Sequence, residues 1–168
     1  IEAVKDYFVK LQMDILNAIE IVDGNNFLVD SWQRSEGGGG TTCILENGKL
    51  FERAGIGFSH VLGSQLPKSA TDAHPEITNS KWEAMGVSLV FHPHNPYIPT
   101  VHMNVRFFNA NANNKNTWWF GGGMDLTPYY GFEEDAKHFH NTIKTALNPF
   151  GENLYPEFKK NCDEYFFL

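Results

Sequence analysis

Arginine is scarce in this sequence: Arg34, Arg53 and Arg106 are the only three, and Lys plus Arg number 13 against 20 Asp plus Glu. A formal net charge of −7 leaves no clustered basic face, which excludes a nucleic-acid partner. The same balance gives no long-range pull on an anionic small molecule, so any such ligand must be held by a few local cations. Cysteine is scarcer still. Cys43 and Cys162 stand far apart, in no Cys-x-x-Cys or zinc-finger spacing, and fit packing residues of a reduced cytoplasmic protein better than a disulfide scaffold. No apolar run approaches the roughly 20 residues of a membrane span, and no charged start leads into an apolar signal region, so a soluble, cytoplasmic protein without a membrane span is expected.

What the chain has in quantity is aromatic and apolar side chains. Fourteen Phe, six Tyr and four Trp, within a hydrophobic content of 42%, exclude a disordered segment and predict an aromatic-rich core. At 168 residues one domain spanning 1–168 is expected. The chain opens on Ile1 and closes inside the run Tyr165-Phe166-Phe167-Leu168, an unusual surface terminus, so a piece of a longer domain is expected.

Val4, Phe8, Leu11, Ile15 and Ile19 recur every three or four residues and predict an amphipathic helix over 1–22, stopped by Asp23-Gly24-Asn25-Asn26. A short strand follows over 27–34. Gly37 to Gly40 read equally as a flexible loop or as backbone that something approaches closely. Asn47-Gly48 between two apolar stretches predicts a β-hairpin. Further strands are expected over 86–91, 101–108 and 117–120, and strands joined by hairpins make an antiparallel sheet. After Pro128 the period changes to three or four: a helix is predicted to about Leu147, with Glu133, Glu134 and Asp135 at its N-terminus and Asn148-Pro149 at its end. A last helix is predicted over 155–166. The order points to an α+β fold, a large antiparallel sheet flanked by helices.

Four places can carry chemistry. In Val101-His102-Met103-Asn104-Val105-Arg106-Phe107, strand alternation puts His102, Asn104 and Arg106 on one face: an acid/base group, an amide and a bidentate carboxylate binder. The plainer alternative is a polar outer face. His92 and His94 lie beside prolines after a strand, where histidines are either metal ligands or simply exposed. On the helix after Pro128, His140 shares a face with Ala136, Ile143 and Leu147 and points inward, whereas His138 lies opposite; His92, His102 and His140 make a three-His metal site if they converge. Asp125 follows the aromatic strand and the glycines 121–123, placed either in a pocket where a flat ligand meets bare backbone or as the cap of the next helix, a role Thr127 fills as well.

The segments Gly37 to Gly40, Phe58-Ser59-His60-Val61, Leu66-Pro67-Lys68-Ser69-Ala70-Thr71, Gly86-Val87-Ser88-Leu89-Val90, His92-Pro93-His94-Asn95-Pro96-Tyr97, His102 to Arg106, Trp118 to Tyr130 and Tyr155 to Leu168 together resemble the oxygen-dependent coproporphyrinogen oxidase family. They run the whole chain in order, which makes the resemblance specific.

The resemblance implies a homodimer with a large antiparallel sheet flanked by helices. It implies an enzyme that converts two propionates of coproporphyrinogen III to vinyls, giving protoporphyrinogen IX, with molecular oxygen as co-substrate and no flavin, haem or NAD. By the same resemblance His102 is the acid/base residue, Ser88, Asn104, Val105 and Arg106 bind substrate, and Asp125 stands near the pyrrole nitrogens. His92, His102 and His140 match positions for a divalent metal cation such as Mn in the bacterial proteins, with a fourth histidine expected just past Leu168. By the resemblance, the family's C-terminal part, with further substrate arginines and the dimerisation region, is expected to lie beyond Leu168. The competing expectations are a non-catalytic tetrapyrrole- or metal-binding module and a purely structural fragment.

Overall fold

A computed structural model describes residues 1–64, 77, 80–112 and 115–167. The string Leu66-Pro67-Lys68-Ser69-Ala70-Thr71 lies outside the described residues. The chain begins with helix α1, Glu2–Asp23, and runs through six strands: β1 Leu28–Gln33, β2 Gly38–Glu46, β3 Phe51–Gly63, β4 Lys81–Pro93, β5 Thr100–Ala112 and β6 Lys115–Thr127. Helix α2, Glu133–Leu147, a 3-10 turn at Asn148–Phe150 and helix α3, Leu154–Phe166, complete it. The strands stand side by side in chain order, every neighbouring pair antiparallel. This is the expected α+β fold.

Helix α1 buries Phe8, Gln12 and Leu16, spaced four apart, with Val4, Leu11, Ile15 and Ile19 packed beside them. They lie on one face of the sheet, against Cys43, Leu45, Ala54, Ile56, Met85 and Val87. Fully burying an aliphatic side chain such as Ile56 or Val87 stabilises by about 1.5–3 kcal/mol each, so this seam is the main source of cohesion. Gln12 is a polar intruder in that stripe. Its Nε2 donates to the Thr41 and Ile56 carbonyls at 2.8 and 3.0 Å, tying helix to sheet without leaving a buried donor unmet. The helix ends at Gly24, whose φ of 83° is the left-handed conformation that favours glycine.

The predicted hairpin exists, and its turn is longer than two residues. Asn47 N–H donates to the Glu52 carbonyl and Gly48 N–H to that of Phe51. The turn is held from outside by Asp23, the last residue of α1, which is 1% exposed. Its carboxylate accepts from the N–H groups of Lys49, Leu50 and Phe51 at 3.0, 2.9 and 3.1 Å. Burial alone raises that carboxyl's pKa, but the three backbone donors, helped by Asn25, outweigh it and hold the group below its ordinary value.

Three local expectations are corrected. Of the two readings of the glycine run, the loop gives way to the close approach: Gly38, Gly39 and Gly40 belong to β2, and neighbouring main chain comes so near that a Cβ at Gly38 would meet the His60 carbonyl. Asp125 and Thr127 lie inside β6, so neither caps α2; the N-cap position is Phe132, with no side-chain cap bond. The helices α2 and α3 pack against each other and the 3-10 turn and bury no residue. Among the described residues, α1 is the helix that seats itself on β3 and β4.

Candidate functional site

Alternation in the strands that sends Val87, Leu89, Met103 and Val105 towards α1 sends Ser88, Val90, His102, Asn104 and Arg106 to the other face. Register then aligns these residues across strands. One row holds Gly57, Ser88, Asn104 and Gly123. The row on one side holds Gly55, Val90, His102 and Asp125; the row on the other holds Ser59, Gly86, Arg106 and Gly121. Ser88, Arg106, Gly121 and Gly123 are exposed, so this is the open face of the sheet.

Within the first of these flanking rows His102 and Asp125 are paired. His102 Nδ1 and Asp125 Oδ1 are 2.7 Å apart, and Thr127 Oγ1 donates to the same oxygen at 3.0 Å. A carboxylate can only accept, so Nδ1 carries the proton of that bond and Nε2 is left as the basic nitrogen. The partnership fixes the imidazole's tautomer and orientation, the role a carboxylate plays behind a catalytic histidine. Asp125 Oδ2 takes no hydrogen bond among the described residues.

The three arginines separate by their partners. Arg34 pairs with Glu36 at 3.5 Å and Arg53 with Glu46 at 3.2 Å. Arg106 has no acidic partner among the described residues and lies over Gly121. A cation held on a bare face without a counter-charge is available to an anionic ligand. Beside it, the Oδ1 atom of Asn104 is buried and accepts no hydrogen bond among the described residues. Val105, expected with this group, has its side chain among the core residues on the α1 face, so any part it takes in binding falls to its main chain.

The three histidines do not converge. His92 stands edge-on to His102 with ring centroids 6.4 Å apart, and its Nδ1 meets Thr100 Oγ1 at 3.2 Å. His140 sits half-buried on α2 between the rings of Phe139 and Tyr155, so it faces α3 and not the sheet. Among the described residues no three His, Cys, Asp or Glu side chains gather closely enough to hold a metal ion, and the set His92, His102 and His140 does not fit one here. His138, expected outside, is exposed.

Sequence reasoning missed the partners in this site more than its members. The His102–Asp125 bond joins residues 23 apart and depends on the β5–β6 register, which pattern alone does not give. Gly55 and Gly57 carry no motif and come to the site only through β3–β4 pairing. Beyond Arg106 the same face continues into a stack of rings on three strands, Trp82 on Phe108 at 5.6 Å and Phe108 on Trp119 at 4.4 Å.

An imidazole backed by a carboxylate, with an unpaired guanidinium four residues along the strand, suits an enzyme that moves protons on an anionic substrate. The sequence profile of the coproporphyrinogen III oxidase family matches residues 3–168, and the chain belongs to that family. It is thus a coproporphyrinogen oxidase-type enzyme of porphyrin biosynthesis, with coproporphyrinogen as substrate. No helix in the described residues is long and apolar enough to cross a membrane.

Proposed function

We propose that the chain catalyses the oxygen-dependent oxidative decarboxylation of two propionates of coproporphyrinogen III to vinyls, giving protoporphyrinogen IX. The observation that carries this reading is the His102–Asp125 pair at 2.7 Å on the same open face as the unpaired Arg106. Residues four apart in a strand are separated by about 13 Å, so a ligand that meets both His102 and Arg106 is broad and carries its anionic groups on its rim. Coproporphyrinogen, with four propionates around a tetrapyrrole, has that shape.

In this reading Arg106 clamps a propionate with two parallel N–H···O bonds, and Ser88 and Asn104 hold the ring between it and the dyad. Asp125 Oδ2, unbonded among the described residues, and Asn104 Oδ1, once its side chain turns outward, are acceptors for pyrrole N–H groups. A pyrrole whose N–H is drawn towards a carboxylate gains electron density, which favours transfer of electrons to oxygen. Each propionate then loses carbon dioxide and a β-hydrogen, and two electrons pass to oxygen. His102 Nε2 receives and returns the protons, held in place by Asp125. A homodimer using molecular oxygen without flavin, haem or nicotinamide completes the reading.

The test is product formation from coproporphyrinogen III under argon and under air, followed by porphyrin fluorescence after oxidation. Vinyl product that appears only with oxygen, and is lost in Asp125→Ala, supports the reading. Turnover under argon with an added electron acceptor, or full activity of Asp125→Ala, overturns it.

A further inference from the structure

The glycines of the sheet divide into two kinds. At Gly86 a Cβ would stand 2.5 Å from the Val105 carbonyl oxygen, and at Gly39, Gly40 and Gly122 it would press still harder on neighbouring main chain. Those positions are glycine because the adjoining strand leaves no room. Gly55, Gly57, Gly121 and Gly123 are different. A Cβ there would find Val90 Cγ1 at 3.8 Å, Ser88 Oγ at 3.6 Å and Arg106 Nε at 3.7 Å respectively, and at Gly123 nothing within 4 Å. None of the four has a positive φ. Alanine fits each, and a strand glycine costs about 0.5–1 kcal/mol relative to alanine, so folding gives no reason for four of them.

Their positions give one. Gly57 and Gly123 flank Ser88 and Asn104 in one row, Gly55 shares the row of His102 and Asp125, and Gly121 is paired with Arg106. All four therefore surround the polar groups of the open face. Two features of that face suit a ligand: Arg106 is exposed and has no acidic partner among the described residues, and beside it Asn104 Oδ1 has no hydrogen-bond partner there.

Building on the functional reading above, we propose that Gly55, Gly57, Gly121 and Gly123 are the floor on which one face of the tetrapyrrole rests against bare main chain. The height of that floor sets the distance to the side chains that act on the ring. Asn104, Asp125 and Ser88 are short and cannot extend to follow a ring that is lifted. A methyl group at Gly57 or Gly123 raises the floor locally by about 1.5 Å, one carbon–carbon bond, and draws the ring nitrogens away from the Asn104 and Asp125 oxygens while leaving the sheet intact. The floor thus selects for a substrate face free of bulky axial substituents.

The experiment compares Gly57→Ala and Gly123→Ala with Gly86→Ala and the wild type. It measures thermal melting, calorimetric binding of coproporphyrinogen III under argon, and the KM and kcat of turnover. Gly57→Ala and Gly123→Ala are expected to melt at or above the wild-type temperature, while Kd and KM rise and kcat/KM falls by up to about a hundredfold, the scale a misplacement of about 1 Å can cost in rate. Gly86→Ala is expected to melt lower. Wild-type affinity and KM in the first two variants overturn the floor, as does a drop in their melting temperature matching that of Gly86→Ala, which would make them structural glycines. Absence of binding by the wild type overturns the functional reading and the floor with it; binding by the wild type and equally by the variants removes the floor alone.

Discussion

The two faces of the sheet are built from alternate residues of the same strands, yet they obey different physics. Towards α1, β4 presents Met85, Val87, Leu89 and Phe91, and β5 presents Val101, Met103, Val105 and Phe107, packed into one core. Towards solvent the same strands present Gly86, Ser88, Val90, His102, Asn104 and Arg106. The first face is optimised for area removed from water. The second gives that area up for glycines, hydrogen-bonding groups and a cation without an acidic partner among the described residues. On the proposed function, a single sheet carries its stability on one side and its chemistry on the other, and substitutions on the two sides should separate cleanly into losses of stability and losses of activity.

The sharpest separation is expected at His102→Ala. Removing the proposed general acid/base should lower kcat by about 10²–10⁴-fold, with the melting temperature close to the wild type because the side chain is not part of the core. A large fall in melting temperature would instead make His102 a structural residue. The counterpart on the other face is Ile56→Ala, at a fully buried position against α1. It should destabilise by about 2–5 kcal/mol, read by urea unfolding, with KM unchanged at temperatures where it is folded.

Asp23 sharpens the comparison, since it is a carboxylate that serves the fold where Asp125 is proposed to serve the site. Asp23→Ala strands three backbone donors at the β2–β3 turn and should cost about 2 kcal/mol. Because its folded pKa lies below the ordinary value, its contribution is complete above the unfolded-state pKa of about 4 and fades as pH falls through the lower folded value. The stability gap between wild type and Asp23→Ala should therefore be constant near neutrality and narrow below about pH 4. A gap that widens on acidification would contradict the sign of that shift.

How much of this was legible in the sequence follows from the range of each physical rule. Period-two alternation is local and rigid, so His102, Asn104 and Arg106 were correctly placed on one face. The three-to-four spacing of Val4, Phe8, Leu11, Ile15 and Ile19 likewise found α1, though it passed over Gln12 because a polar residue in an apolar stripe looks like a break. Glycine is a poor strand former, which hid the true length of β2 and β6 through Gly38–Gly40 and Gly121–Gly123. Helical period gave His140 an inward face but not what it would face, and its neighbour is Tyr155 of α3 rather than the sheet. The pairing of His102 with Asp125 needed the register between two strands, a tertiary fact with no local signature.

The smallest expected effect tests the most specific feature of the open face. Arg106→Lys keeps the charge, and if Arg106 were only a source of positive potential the change would be nearly silent. A lysine ammonium is a point charge that cannot make two parallel bonds to one carboxylate, and its flexible stem loses more freedom per bond formed. With a guanidinium over Gly121 engaging a propionate, KM should rise about tenfold, the scale of one charge-assisted hydrogen bond, while kcat changes less because His102 and Asp125 are untouched. Arg53→Lys is the matched control: Arg53 also lies on this face but is paired with Glu46. Equal, small effects at both positions would show that the open face attracts its ligand by charge alone, and a rise in KM confined to Arg106→Lys would show that it reads the carboxylate's geometry.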